Sequence, residues 1–182
     1  MMHPMSMEKQ SVTTTDFTQM EALIILLDSG VLDTRETIQQ VRVLAQCQQP
    51  FVLAAMKRWI LSPNPLIGQV AVDYVASYDS APTAYLMDCL LDSTYMVRIS
   101  IVQALGELKS AQAVPTLLTL LETPNQRGST LRLSVIKALG KIGDPTIADR
   151  IRPYLNDQDA HVRQNVGATL AILGTPSQEN IS

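Results

Sequence analysis

The sequence predicts an all-α superhelix, a solenoid of about five helical pairs, and three observations predict it. One unit is spelled more than once at a spacing near thirty residues. The apolar positions inside each unit fall on helical faces. The composition is aliphatic: 46% of the 182 residues are hydrophobic but only 4% are aromatic, so Leu, Ile, Val, Ala and Met must fill the core. Stacked helices pack in this way, with aliphatic ridges set into grooves.

The repeat is plainest in the second half. "VRISIVQALGELKSAQAVPTLLTLLE" runs from Val97 to Glu122, and "LRLSVIKALGKIGDPTIADRIRPYL" from Leu131 to Leu155. Val97-Arg98, Leu131-Arg132 and Val162-Arg163 open three copies, in steps of 34 and 31 residues. Ala104-Leu105-Gly106 falls on Ala138-Leu139-Gly140 and then on Thr169-Leu170-Ala171. Such a period marks a helical solenoid, because one pair cannot bury its apolar face while a stack can.

Each copy holds two helices. Val97, Ile101, Ala104, Leu105 and Leu108 lie at i, i+4, i+7, i+8 and i+11, which is one helical face. Leu131, Val135, Ala138, Leu139 and Ile142 repeat it. Val162, Val166, Thr169, Leu170 and Leu173 repeat it again with one polar substitution. The second helix carries Val114, Leu117, Leu118 and Leu121, and then Ile147, Ile151, Tyr154 and Leu155. The small Ala104 and Ala138 are expected to let neighbours approach closely.

Helix punctuation agrees. Ser93 is placed to cap the helix of Val97, Asp144-Pro145 reads as N-cap and first helical residue, and Gly143 fits a helix end. In the fainter first half, Ile67, Ala71, Val75 and Tyr78 precede Val97, Ile101, Leu105 and Leu108 by thirty residues, and Asn64-Pro65 opens that helix. "SAPTAYLMDCLLD" follows it. Asp33 and Glu36 form a capping-box start to "TRETIQQVRVLAQC", "PFVLAAMKRWIL" is its partner, and Asp16 to Asp28 opens the array. About ten helices result, in a repeat domain of residues 16–174, between disordered tails at 1–15 and 175–182.

Several function classes are disfavoured. The net charge is −3 and there is no long basic run, so no nucleic-acid partner is expected. The first residues lack a signal peptide's apolar core, and clusters such as "ALIILL" are too short for a bilayer, so a cytoplasmic protein without membrane contact is expected. Cys47 and Cys89 are far apart and read as buried thiols. With only His3 and His161 beside them, no metal site is expected. No phosphate loop, nucleophile elbow or paired carboxylates appear, so no catalytic residue is assigned and binding is favoured over enzymatic action.

The unit from Asp92 through Val97-Arg98, Ala104-Leu105-Gly106 and Ala113-Val114-Pro115 to Leu117, Leu120 and Leu121 resembles the HEAT-like repeats named after phycobilisome lyases. The second copy keeps Leu131-Arg132 and Ala138-Leu139-Gly140 but has Ile147-Ala148 where Val-Pro would stand. The resemblance covers residues 92–174, and the first half is similar by spacing alone. It implies a HEAT-like solenoid acting as a scaffold or adaptor that binds another protein chain. It implies as the alternative a subunit or chaperone of a phycobilin lyase working with a second chain, or a factor in phycobilisome assembly or degradation. No cofactor is expected, except a bilin under that alternative. The Asn-His-Cys type of motif of isomerising lyase subunits is missing.

Three groups of residues stand as candidate binding positions. Arg98, Arg132 and Arg163 are equivalent and would form a ladder able to grip bilin propionates or an acidic partner. The favoured alternative is structural, each arginine pairing with an aspartate of the preceding loop, such as Asp92, Asp157 or Asp159. Trp59, beside Lys57 and Arg58, is where a large aromatic meets paired cations, with Tyr74, Tyr78, Tyr85 and Tyr95 in the following unit. Core filling is favoured there. His161 could donate a proton but reads as passive. In the last helix Ala168 and Ile172 would leave a bare apolar edge, to dock a partner or a second copy, or to be covered by the tail "TPSQENIS".

Overall fold

A computed structural model describes residues 14–47, 49–78, 81–123 and 128–174, with side chains from residue 18 onward. These residues form ten α-helices and no strand: α1 Thr14–Asp28, α2 Thr34–Leu44, α3 Pro50–Ile60, α4 Pro65–Ser77, α5 Thr83–Cys89, α6 Tyr95–Glu107, α7 Val114–Glu122, α8 Ser129–Ile142, α9 Ala148–Ile151 and α10 Ala160–Gly174. The even-numbered helices stack in one row, each on the next, from α2 to α10. The odd-numbered helices form the second row. α1 packs on α2, α3 on α4, α5 on α6, α7 on α8, and the 3-10 turn Arg152–Asn156 after α9 on α10.

An inner helix of the even row touches two even neighbours and an odd one, so it must be apolar on more than one stripe. α6 buries Val97, Ile99, Ile101, Val102 and Leu105, and α8 buries Leu131, Val135, Ile136, Ala138 and Leu139. Ile99, Val102 and Ile136 lie off the single face that the spacing predicts. They fill the contacts that stacking adds. Thr169 is buried among them, its hydroxyl directed at the Ile136 carbonyl at 3.5 Å.

The closest approaches between even helices are made by glycines, a role that the sequence reading gave to Ala104 and Ala138. A Cβ on Gly106 would lie 2.7 Å from the Cα of Ala138, one on Gly140 2.9 Å from the Thr169 hydroxyl, and one on Gly68 2.5 Å from a Val97 methyl. Ala138 does receive such an approach, whereas Ala104 is only half-buried and lines an open groove. Gly106→Ala is therefore expected to destabilise. It gains about 1 kcal/mol of helix propensity, but backbone cannot yield as a side chain can, and overpacking costs about 1–3 kcal/mol. Gly167, on the exposed face of α10, has nothing within 4 Å of its added Cβ, so Gly167→Ala should stabilise by about 0.5–1 kcal/mol. Thermal melts followed by circular dichroism check both. A Gly106→Ala melting temperature at or above that of the parent would contradict the close-packing account.

Four local expectations change. The N-cap of α6 is Thr94, not Ser93, and the Ser93 hydroxyl donates back to the Leu90 carbonyl at 3.1 Å. The single helix expected around Ile147 to Leu155 is broken into the 3-10 turn Pro145–Ile147, α9, and Arg152–Asn156. Pro153 is the reason for the second break, after Ile151, because it lacks an N–H and its ring clashes with the turn before it. Leu155 is consequently 39% exposed instead of inside. Helix α1 begins at Thr14, so the first two of its residues fall within the expected tail. Residues 1–13 and 175–182, with the rest of both expected tails, His3 and the segment "TPSQENIS", lie outside the described residues. Other caps form as spelled: the Asp33–Glu36 capping box is complete, Asn64 accepts from the Leu66 N–H at 3.0 Å, Asp144 accepts from the Thr146 N–H at 2.9 Å, and Gly143 takes φ 78° to end α8.

Candidate interaction surface

Two of the three repeated arginines, Arg98 and Arg163, close the ends of helices. Arg98 donates from Nε to the Leu90 carbonyl at 2.9 Å and from Nη2 to those of Leu91 and Ser93 at 2.7 and 3.1 Å. It thus satisfies carbonyls just beyond α5 that no further helical turn would reach. Arg163 does the same for Asp157 and Gln158, at 2.7 and 3.0 Å. Arg132 differs. It forms a two-pronged pair with Asp157 at 2.8 and 2.9 Å, and that aspartate follows it in the chain by 25 residues. The Asp157 side chain is only 7% exposed and that of Arg132 23%. The paired guanidinium holds the Asp157 carboxyl below its ordinary range, and the same bonds raise Arg132.

Asp157 also accepts from the Asp159 N–H at 2.9 Å, and Asp159 accepts from the His161 N–H at 2.8 Å at the start of α10. A hydrogen bond from Ser129, then that from His161, lowers the Asp159 carboxyl. One loop between α9 and α10 is therefore tied to α8 by a side chain and to α10 by its backbone.

The aromatic residues of the first half are also spent on structure. Trp59 is 9% exposed, and its indole N–H donates to Asp28 at 2.8 Å, while Arg58 takes the other oxygen of that carboxylate at 2.8 Å. The end of α1 is thereby fastened to α3. The Tyr74 hydroxyl donates to the Cys47 carbonyl at 2.6 Å, and that of Tyr85 to the Lys57 carbonyl at 2.9 Å, with the Lys57 ammonium 4.8 Å from the Tyr85 ring centre. Burial pushes both tyrosines up to about 12. Cys47 and Cys89 are free thiols, and burial raises Cys89. His161 is exposed.

What remains open is the outer side of the even row, where grooves run between consecutive helices. A groove of about 720 Å³ lies between α2 and α4, lined by Arg35, Ile38, Gln39, Arg42, Val43 and Leu66 among others. The α4–α6 groove, about 430 Å³, has Asp73, Gln103, Ala104 and Glu107. The α6–α8 groove, about 280 Å³, shares Gln103 and Glu107 and adds Lys137 and Lys141. Glu107 is paired with Lys141. Sequence reading missed this surface, although its signal was present: the polar positions that alternate with each apolar face. At the far end of the row, Ala168 and Ile172 of α10 are exposed, Ile172 by 57%. Among the described residues, no group of three or more His, Cys, Asp or Glu is placed to hold a metal, and no helix is long and apolar enough to cross a membrane.

A row of stacked helical pairs with a grooved outer face and inward-spent arginines defines a helical-repeat protein. A model of HEAT repeats matches residues 83–148 and again 127–179, more than half of the chain, and the chain belongs to that family. No curated protein matches it in sequence. Among solved structures it is similar to the complex of CpcE and CpcF of phycocyanin lyase from Nostoc sp. PCC7120, with a TM-score of 0.64 and 19% identity over 96% of this chain and 70% of that one. It is also similar to an engineered protein, with a TM-score of 0.55 and 17% identity over 87% of this chain and 81% of that one. At such identities the likeness is one of fold.

Proposed function

We propose that this protein is a HEAT-repeat scaffold that binds another protein chain along the outer side of its even helices. The observation that carries this reading is the division of labour among its polar residues. The repeated arginines and the buried tyrosines hold the stack together, while the grooves between even helices keep exposed side chains of mixed character. Extended surfaces of stacked repeats serve protein recognition. Two free thiols fit a reducing, cytoplasmic setting. The exposed end of α10, with Ala168 and Ile172, is a second place where a partner or another copy would extend the row.

Cross-linking of the full chain in extracts of its own cells, read by mass spectrometry, tests the reading. Partner cross-links should concentrate at Lys137 and Lys141, which line the even-row grooves, over the exposed Lys109 in the turn after α6. Links confined to Lys109, or none, would count against it. A second reading, a bilin lyase subunit acting with a second chain, is favoured by the fold likeness to the CpcE–CpcF complex. It expects bilin absorbance to accompany a copurified two-chain complex, and a colourless complex would dismiss it.

A further inference from the structure

The α2–α4 groove differs from the other two grooves of the even row. It is the largest of the three, and the charged side chains that line it are both cations, whereas those of the α4–α6 groove are carboxylates and those of the α6–α8 groove are mixed. Arg35 and Arg42 lie at i and i+7 of α2, on one helical face, with Ile38 and Gln39 between them. The two cations are therefore about 10 Å apart along the helix axis, two turns. Both are exposed, and among the described residues neither joins an ion pair. The carboxylates at the start of the same helix are occupied: Asp33 accepts from the Glu36 N–H at 2.8 Å, and Glu36 turns back to the Asp33 N–H. α4 contributes no charge here, because its Asp73 lines the next groove.

Beside Thr34, Gln39 and Gln46, the rest of the groove is apolar. Val43 is 50% exposed and Leu66 51%, and Ile38 is half-buried. Elsewhere Glu107 takes Lys141 in the even row, and the odd row pairs Arg58 with Asp28 and Arg150 with Glu122. Two arginines are too few to neutralise a run of phosphates, and nucleic acid would gain nothing from Val43 and Leu66. A cleft with an apolar floor and two cations two turns apart matches an amphipathic helix in groove-binding mode, its leucines inward and its carboxylates spaced at i and i+7.

We infer that the α2–α4 groove is the docking site for an acidic amphipathic helix of the partner protein. The inference rests on the scaffold reading and gives its partner a chemistry. Arginine suits the task because its fork binds a carboxylate through two parallel hydrogen bonds.

The test uses the full chain and a fluorescent synthetic peptide with leucines at i, i+3, i+4 and i+7 flanked by glutamates, beside a matched peptide with lysine for every glutamate. Fluorescence anisotropy should show the glutamate peptide binding at least about tenfold more tightly than the lysine peptide at low salt, with the difference shrinking as salt rises. The double variant Arg35→Glu with Arg42→Glu should reverse that preference. Leu66→Ser should weaken both peptides alike. Circular dichroism of each variant should match the parent, since all three side chains are exposed. Equal binding of the two peptides, or a preference that the double variant leaves unchanged, overturns the inference. So does peptide uptake that begins only after residues 1–13 are removed, because the chain itself would then be the occupant. If the double variant keeps its cross-links at Lys137 and Lys141, the scaffold reading stands and this groove falls. If the parent binds the glutamate peptide but forms no cross-links in extracts, the groove stands alone.

Discussion

Replacing Leu105 by aspartate is expected to unfold the protein. Leu105 is fully buried in α6, the middle helix of the even row, between α4 and α8. Removing a buried leucine costs about 2–5 kcal/mol through lost burial and the cavity left behind. A carboxylate in its place adds several kcal/mol more, because no cation or donor waits there to receive it. A domain of this kind has about 5–15 kcal/mol in total, so the sum reaches the whole of its stability. The geometry of a repeat stack aggravates the loss. Each unit touches only its neighbours, and breaking α6 leaves two even helices on either side, too few to bury a continuous core. Far-UV circular dichroism should show the helical signal lost or the variant insoluble. Gln103→Asp, two residues earlier on the exposed side of α6, is the control and should stay within about 0.5 kcal/mol of the parent. A soluble Leu105→Asp variant with an unchanged melting temperature would break the repeat alignment itself.

The repeat was legible because its signal is one-dimensional. Val97, Leu131 and Val162 recur at nearly equal steps, and all three are buried at the same place in successive even helices. The caps at Asp33, Asn64 and Asp144 were legible for the same reason, since each acts within three residues of itself. What depends on the next unit was harder to see. Gly106 reads as a helix-weakening residue until Ala138 is placed against it, and Ile99 and Val102 read as off-face until α4 and α8 sit on both sides. Pro153 was visible in the sequence, yet the apolar spacing of Ile147, Ile151 and Tyr154 concealed the break that it makes. The binding surface was least legible. Arg35 and Arg42 are ordinary helix-surface residues in sequence, and only the groove beside Leu66 sets them apart.

Arg132 makes the second large prediction, because among the described ion pairs its own is the most shielded from water. The exposed pairs Arg58–Asp28, Lys141–Glu107 and Arg150–Glu122 each contribute about 0–1 kcal/mol. Breaking a buried pair from one side costs about 3–5 kcal/mol, since the other charge is left without its counter-ion. Arg132 keeps 23% of its side chain in solvent, and Asp157 retains the Asp159 N–H, so Arg132→Ala should lose about 2–3 kcal/mol. The melting temperature should fall by about 5–10 °C at neutral pH. The loss should depend on pH in one direction. The folded-state value of Asp157 lies below its unfolded value of about 3.9, so the unfolded chain binds more protons and the stabilisation is present above that pH. It fades as pH falls through the folded value. The gap between parent and Arg132→Ala should therefore be widest above about pH 5 and narrow in acid. Arg132→Lys should recover only part of it, because an ammonium cannot make both parallel bonds. A gap that stays constant down to strong acid would show that the lost packing of the arginine stem, and not its pairing with Asp157, accounts for the change.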